Sequence, residues 1–122
     1  MENENIYRLA CLIAKTLDEK LAKDITILKI SNVSSIADYF VICSAETTTQ
    51  VKALSYYVEE EIEKTLNIKA RGKEEDIKNR WHLLDYGDVI VHIMHKEERQ
   101  YYTIEKFWSH ACTISREEWE KA

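Results

Sequence analysis

Hydrophobic positions in the first part of the chain recur at steps of three and four residues. They place Ile6, Leu9, Ile13, Leu17 and Leu21 on one stripe, while the opposite side is charged. This spacing predicts an amphipathic helix whose apolar side packs on a sheet.

Two short runs, 25–30 and 39–43, are rich in β-branched and aromatic residues and are separated by polar, turn-forming residues. They predict two adjacent strands that pair antiparallel. Thr47 then stands three residues ahead of Gln50, the spacing of a capping box at a helix start. Hydrophobic residues continue at helical spacing to Leu66, where Asn67 is suited to end this second helix. After a short strand at 68–70, the charged segment 71–80 predicts a solvated loop.

The runs 81–86 and 89–95 flank a short turn through Gly87 and Asp88, which predicts a β-hairpin. Because Gly87 is one of only two glycines in the chain, we expect that the turn needs a positive φ there. The second strand is hydrophobic on both sides and is expected in the sheet interior. The first strand is mixed on both sides, which favours a sheet margin where some side chains meet water or another protein.

From about residue 97 the spacing becomes helical again and continues to residue 111. Tyr102, Ile104 and Trp108 are expected to hold this helix to the hairpin. The tail from about residue 113 carries Trp119 on a charged background and is either a final helical turn or frayed. The element order α-β-β-α-β-β-β-α predicts an α/β fold in a single domain over residues 1–122, with helices packed on the faces of a mixed sheet.

Composition narrows the class of protein. Of 122 residues, 45% are hydrophobic and 32% are charged, and no apolar run approaches the roughly 20 residues that span a bilayer. With no signal or transit sequence, the chain is expected to be cytoplasmic. A net charge of −5 disfavours direct nucleic-acid binding and favours a basic partner. Cys11, Cys43 and Cys112 lie far apart, so each is expected to be a small core residue rather than part of a disulfide framework or a zinc site.

The segment 34–54 and the segment 81–108 together resemble the ribosomal silencing factor family, also called the RsfS or Iojap family. The most specific part is W-x-L-L-D-Y-G-D-V-I-V-H-I followed by E-x-R-x-x-Y-x-x-E-x-x-W. Its matching positions include Trp81, Leu83, Asp85, Gly87, Asp88, His92, Arg99, Tyr102, Glu105 and Trp108. The chain departs from the family pattern at Ala45, Thr47, Thr49 and Met94.

The resemblance implies a nucleotidyltransferase-like fold without transferase activity. It also implies binding to the large ribosomal subunit through large-subunit ribosomal protein fourteen, where the bound factor blocks joining of the small subunit and represses translation. Family members form homodimers in isolation, which is therefore expected here. Two alternatives stay open: an adaptor in ribosome assembly, and a nucleotide-handling enzyme of the related fold.

The sequence lacks the motifs that a nucleotidyltransferase needs for catalysis. Nucleotidyl transfer needs a Gly-Ser phosphate-holding turn and a D-x-D-like carboxylate pair, but there is no Gly-Ser dipeptide, and Asp85 and Asp88 are separated across a turn. His92 and His95 lie three apart on a strand and so point to opposite faces, which disfavours a shared metal. We therefore predict no catalytic residue, no cofactor and no metal site.

The candidate residues for partner binding each have a structural alternative. His92 is either a buried, hydrogen-bonded residue or a contact at the partner surface. Asp85 and Asp88 either bond within the turn or meet the partner, and Trp81 is either core or an interface hot spot. We predict a partner-binding set that contributes to, or directly supports, one surface: Arg80, Trp81, Asp85, Asp88, His92, Arg99 and Glu105.

Overall fold

The computed structural model describes residues 3–122, so the first two residues of the predicted domain lie outside the described range. Its elements are α1 Asn3–Glu19, β1 Lys23–Lys29, β2 Tyr39–Ala45, α2 Thr48–Leu66, β3 Gly72–Glu75, β4 Trp81–Asp85, β5 Val89–His95, α3 Lys96–Tyr102, α4 Ile104–Phe107, β6 Cys112–Ile114 and α5 Arg116–Lys121. The strands form one sheet in the order β3-β4-β5-β2-β1-β6. Among the strands of residues 3–122, β2 and β5 pair in parallel, and the other neighbours are antiparallel. The predicted α/β fold with a mixed sheet is confirmed.

The two faces of the sheet carry two separate hydrophobic clusters. On one face, α1 and α2 pack against alternate residues of β2 and β5, such as Val41, Cys43 and Val91. On the other face, Phe40, Ile42 and Met94 pack under α4. Because β5 is covered on both sides, it carries hydrophobic residues on both faces, as predicted for an interior strand.

The local signals for caps and turns are largely confirmed. The Thr47 side chain accepts a hydrogen bond from the backbone N–H of Gln50 at 3.0 Å. The Gln50 side chain accepts from the N–H of Glu46 rather than from that of Thr47, so the reciprocal bond is shifted by one residue. Asn67 ends α2 in the left-handed region at φ 56°, and Gly87 has φ 87°.

The third strand lies further along the chain than predicted. Residues 68–70 are not a strand, although Ile68 and Ala70 pack on the main cluster, and the strand is Gly72–Glu75 within the predicted loop. This strand lies at the edge of the sheet and is held by backbone hydrogen bonds to β4. It can therefore form without alternating hydrophobic residues, and its charged side chains are typical of an exposed edge strand. Consequently β4 is not the outermost strand, and that prediction was wrong.

The predicted helix to residue 111 is also wrong, because it is broken at Thr103. Thr103 has φ 44°, so α3 ends there and the chain changes direction before the four-residue α4. The chain then forms β6 on the edge of β1 and ends in α5, where Trp119 is only 1% exposed within the main cluster. The tail is thus a packed helix rather than a frayed one.

Cys11 and Cys43 are buried as predicted, whereas Cys112 is exposed because β6 is an edge strand. Within residues 3–122, no helix is long and apolar enough to cross a membrane.

Candidate functional site

A continuous series of aromatic rings runs across the face of the sheet that carries α3 and α4. Neighbouring ring centroids lie 4.8 to 5.9 Å apart. The series, which we call the aromatic row, consists of Tyr101, Tyr102, Trp81, His92, Phe40, Trp108 and Phe107. Its middle is buried, but Tyr101 is 79% exposed at one end and Phe107 is 82% exposed at the other.

Trp81 is held in place from two sides. Its indole Nε1 donates a hydrogen bond to Nδ1 of His92 at 3.2 Å, and its ring packs against Tyr102 at 5.1 Å. Burial, together with the nearby charge of Arg99, lowers the pKa of His92 to about 4, so this imidazole is neutral near pH 7. Because Nδ1 is the acceptor, the proton of His92 belongs on Nε2, which has no partner within residues 3–122. His92 therefore supports the indole from below rather than reaching the surface.

Arg80 ties the start of β4 to the start of α3. Its Nη2 lies 2.7 Å from Oε1 of Glu97, and its Nε lies 2.7 Å from Oε1 of Glu98. The backbone N–H groups of Arg80 and Trp81 both donate to Oδ1 of Asp76, at 2.7 and 2.9 Å. These bonds fix the backbone at Trp81 and thereby the position of its indole ring.

Asp85 and Asp88 lie at the other end of the β4–β5 hairpin. Oδ1 of Asp85 accepts from the backbone N–H of Gly87 at 2.7 Å and lies 3.3 Å from Nε of Arg71. The backbone carbonyl of Asp88 accepts from the N–H groups of Asp38 and Tyr39. Asp85 thus serves the turn, and both residues remain partly accessible.

Arg99 and Glu105 form a pair beneath the break between α3 and α4. Oε2 of Glu105 accepts from Nε and Nη2 of Arg99 at 3.0 and 2.6 Å, while the guanidinium also donates to the hydroxyls of Ser44 and Thr26 at 3.1 and 3.2 Å. Arg99 is only 9% exposed. Burial is the largest single influence and would raise the pKa of Glu105, but the hydrogen bond and the charge of Arg99, together with a backbone hydrogen bond, outweigh it, so the pKa is lowered. The pair holds α3 and α4 to β1 and β2.

The seven predicted residues therefore form three groups. Arg80, Trp81 and His92 lie together, the two aspartates lie at the hairpin turn, and Arg99 with Glu105 lies under the helices. Tyr102 packs on Trp81 of the hairpin as expected, although it is half exposed, and Ile104 and Trp108 join the cluster that contains Met94 of the hairpin.

Sequence reasoning missed three further accessible parts of this surface. Leu83 shares a face with Trp81, as the strand period predicts, but it was left out of the predicted partner-binding set. Glu74, which pairs with Leu83, was missed because β3 was misplaced. Phe107 was missed because the helix was taken as continuous.

Comparisons with known proteins identify the family. A family model described as "Ribosomal silencing factor during starvation" (RsfS) matches residues 3–122. Ribosomal silencing factor RsfS of Halalkalibacterium halodurans is 35% identical over 96% of this chain and 97% of its own length. That of Bacillus subtilis is 37% identical over 91% of each chain. The chloroplastic protein Iojap of Zea mays is 33% identical over 86% of this chain and 45% of its own length.

Solved structures agree with this result. A Chromobacterium violaceum protein of known crystal structure has a TM-score of 0.78 and 33% identity, over 89% of this chain and 88% of its own. A Bacillus halodurans protein has a TM-score of 0.72 and 32% identity, over 93% and 99%. The resemblance stated from the sequence motifs is therefore confirmed, and the chain belongs to the RsfS family of ribosomal silencing factors, which regulate translation at the ribosome.

Proposed function

We propose that this chain binds the large ribosomal subunit through large-subunit ribosomal protein fourteen and thereby keeps the small subunit from joining. The observation that carries the proposal is the aromatic row, whose ends expose Tyr101 and Phe107 on one side of the sheet. Large exposed aromatic residues in contact with one another are typical of a protein–protein interface. Blocking of this kind needs a complementary surface and sufficient bulk, and no reactive group, so we propose no catalytic activity.

Charge supports the same kind of partner. The chain carries a net charge of −5, whereas ribosomal proteins usually present basic surfaces, so the encounter is favoured electrostatically. Trp81, Asp85 and Asp88 are accessible enough to meet the partner directly. Arg80, His92, Arg99 and Glu105 support the surface from within through the bonds described above. We further propose that the protein acts in the cytoplasm and is a homodimer in isolation.

A second candidate function is an adaptor role in assembly of the large subunit. It is favoured by one relative, "Mitochondrial assembly of ribosomal large subunit protein 1" of Mus musculus, which is 29% identical over 80% of this chain and 44% of its own length. An adaptor of this kind would act on immature particles and would leave mature subunits free to associate.

The deciding experiment is a sucrose-gradient assay with purified, mature subunits. Adding the protein to large subunits before small subunits should lower the peak of associated ribosomes and move the protein into the large-subunit fraction. Trp81→Ala should weaken both effects. Tyr56→Ala serves as the matched control because it removes an exposed aromatic ring from α2, on the opposite side of the sheet. Normal association at saturating protein would reject the proposal and leave the assembly role.

A further inference from the structure

An open cavity of about 450 Å³ lies beside the β3–β4 hairpin and is lined by Glu74, Glu75, Asp76, Trp81 and Leu83. In the β3–β4 ladder Glu74 is opposite Leu83, so both side chains lie on the face that also carries Trp81. The floor is thus an indole and a leucine, and acidic residues form the rim. We call this the acidic cavity.

The three acidic residues that line the cavity differ in how their carboxylates are used. Oδ1 of Asp76 accepts the backbone N–H groups of Arg80 and Trp81. Glu75 is opposite His82 in the ladder, so its side chain lies on the other face of the sheet, where its carboxylate is 3.4 Å from Nζ of Lys73 and 3.6 Å from Nε2 of His82. Glu74 is exposed, and within residues 3–122 it forms no ion pair. It therefore brings an uncompensated negative charge to the mouth of the cavity, next to an aromatic surface.

The indole in this cavity is already fixed. The hydrogen bond to His92 and the contact with Tyr102 hold the ring of Trp81, and the Asp76 carboxylate holds its backbone. A ring that does not need to be ordered on binding loses little entropy when a ligand stacks on it. An indole face beside a free carboxylate attracts a planar cation, because the ring quadrupole and the negative charge act in the same direction.

We propose that the acidic cavity receives the guanidinium of an arginine side chain from the protein partner, stacked on Trp81 and paired with Glu74. The identity of the partner rests on the proposed function, whereas the chemistry of the cavity does not. A phosphate-bearing ligand is disfavoured by the negative charges of Glu74 and Asp76. A purely apolar side chain would leave Glu74 without a partner.

The cavity can be tested without ribosomes. The probes are blocked tripeptides Gly-Arg-Gly, Gly-citrulline-Gly and Gly-Leu-Gly, titrated while the indole N–H resonance of Trp81 is followed and assigned through Trp81→Phe. The arginine peptide should shift this resonance saturably, and Glu74→Gln or high salt should weaken the binding. Citrulline keeps the shape of arginine without its charge and should have no comparable effect. A non-saturable arginine response, an equal response to citrulline or leucine, or unchanged binding by Glu74→Gln would overturn the assignment.

The second test uses intact large subunits and a charge reversal. Glu74→Lys should weaken co-sedimentation about tenfold, because it replaces an attraction with a repulsion at the stacked cation. Glu60→Lys makes the same change in net charge at an exposed position on α2, on the opposite side of the sheet, and should have a much smaller effect. Equal losses for the two variants would count against the cavity. If the wild-type protein does not sediment with large subunits, the proposed function fails, while the peptide titration still decides the chemistry of the cavity.

Discussion

Replacing Arg99 with methionine should destabilise the fold strongly, although the residue belongs to the predicted partner-binding set. The substitution keeps a long hydrophobic side chain of similar reach but removes the guanidinium, which is bound to Glu105, Ser44 and Thr26. Ser44 is buried and would lose this bond. The carboxylate of Glu105 would lose its cation but keep some access to water.

The magnitude follows from these losses. Breaking a buried ion pair by removing one partner costs about 3–5 kcal/mol. The Glu105 side chain is 38% exposed, so hydration offsets part of that cost. An orphaned buried hydroxyl adds about 1 kcal/mol or more. We therefore expect Arg99→Met to lower the free energy of unfolding by about 3 kcal/mol.

Urea unfolding followed by tryptophan fluorescence measures this cost, and Glu105→Gln with the double variant completes a thermodynamic cycle. Because the two side chains are in direct contact, the double variant should lose at least about 1 kcal/mol less than the sum of the single losses. An additive result would mean that the pair is not coupled, and an Arg99→Met loss below about 1 kcal/mol would refute the reasoning from burial.

The same pair makes a pH prediction. The pKa of Glu105 is lower in the folded protein than in the unfolded chain, so its contribution is fully present above the unfolded pKa and is lost as the pH falls through the folded pKa. Wild-type protein should therefore lose more stability in acid than Glu105→Gln does. The buried His92 also destabilises the fold in acid, but it is present in both proteins and cancels in the comparison. Parallel stability profiles for the two proteins would contradict the assignment.

Three further predictions concern the fold. Trp119→Ala should lower the free energy of unfolding by about 3–5 kcal/mol in urea titration, because it empties a fully buried site between α5 and α1; a loss below about 1 kcal/mol would mean that α5 is not docked. Gly87→Ala should cost about 1–2 kcal/mol in the same assay, since alanine is strained at φ 87° although its Cβ has room; an unchanged midpoint would exclude that strain. A thiol reagent should label Cys112 rapidly in the native protein and Cys11 and Cys43 only on unfolding, and fast labelling of all three would contradict the burial.

The sequence predicted the elements whose formation depends on side-chain period or on a local cap. The stripe of α1 from Ile6 to Leu17, the Thr47 and Asn67 caps of α2 and the turn at Gly87 are local signals, and these were confirmed. The prediction for Leu21, the last residue of the predicted stripe, was wrong: α1 ends at Glu19, and Leu21 is 74% exposed with φ 67°. The strands β3 and β6 escaped prediction because both are short edge strands. Their positions are set by backbone hydrogen bonds to β4 and β1, which leave little trace in the pattern of hydrophobic residues.

The hydrophobic pattern also failed to predict the end of α3, which depends on the backbone angle of one residue. Thr103 adopts φ 44°, although threonine is β-branched and rarely found in that region, and no residue-type signal marks it. For the site residues, the sequence reduced the possible roles to a partner contact or a structural contact but did not decide between them. Whether Arg99 contacts a partner or pairs within the fold depends on its distance to Glu105, which is six positions further along a segment that was expected to be one helix.

The break at Thr103 also explains why aromatic side chains are exposed on this side of the protein. In one continuous helix, Tyr101, Ile104 and Trp108 would share a stripe against the sheet. With the break, Ile104 and Trp108 stay on the sheet while Tyr101 and Phe107 point to solvent. The Arg99–Glu105 pair spans the break and fixes both helices to the strands. This partly buried ion pair therefore determines the shape of the exposed surface. Without it, α3 and α4 would be free to rotate, and the exposed ends of the aromatic row would lose their fixed spacing on either side of Trp81.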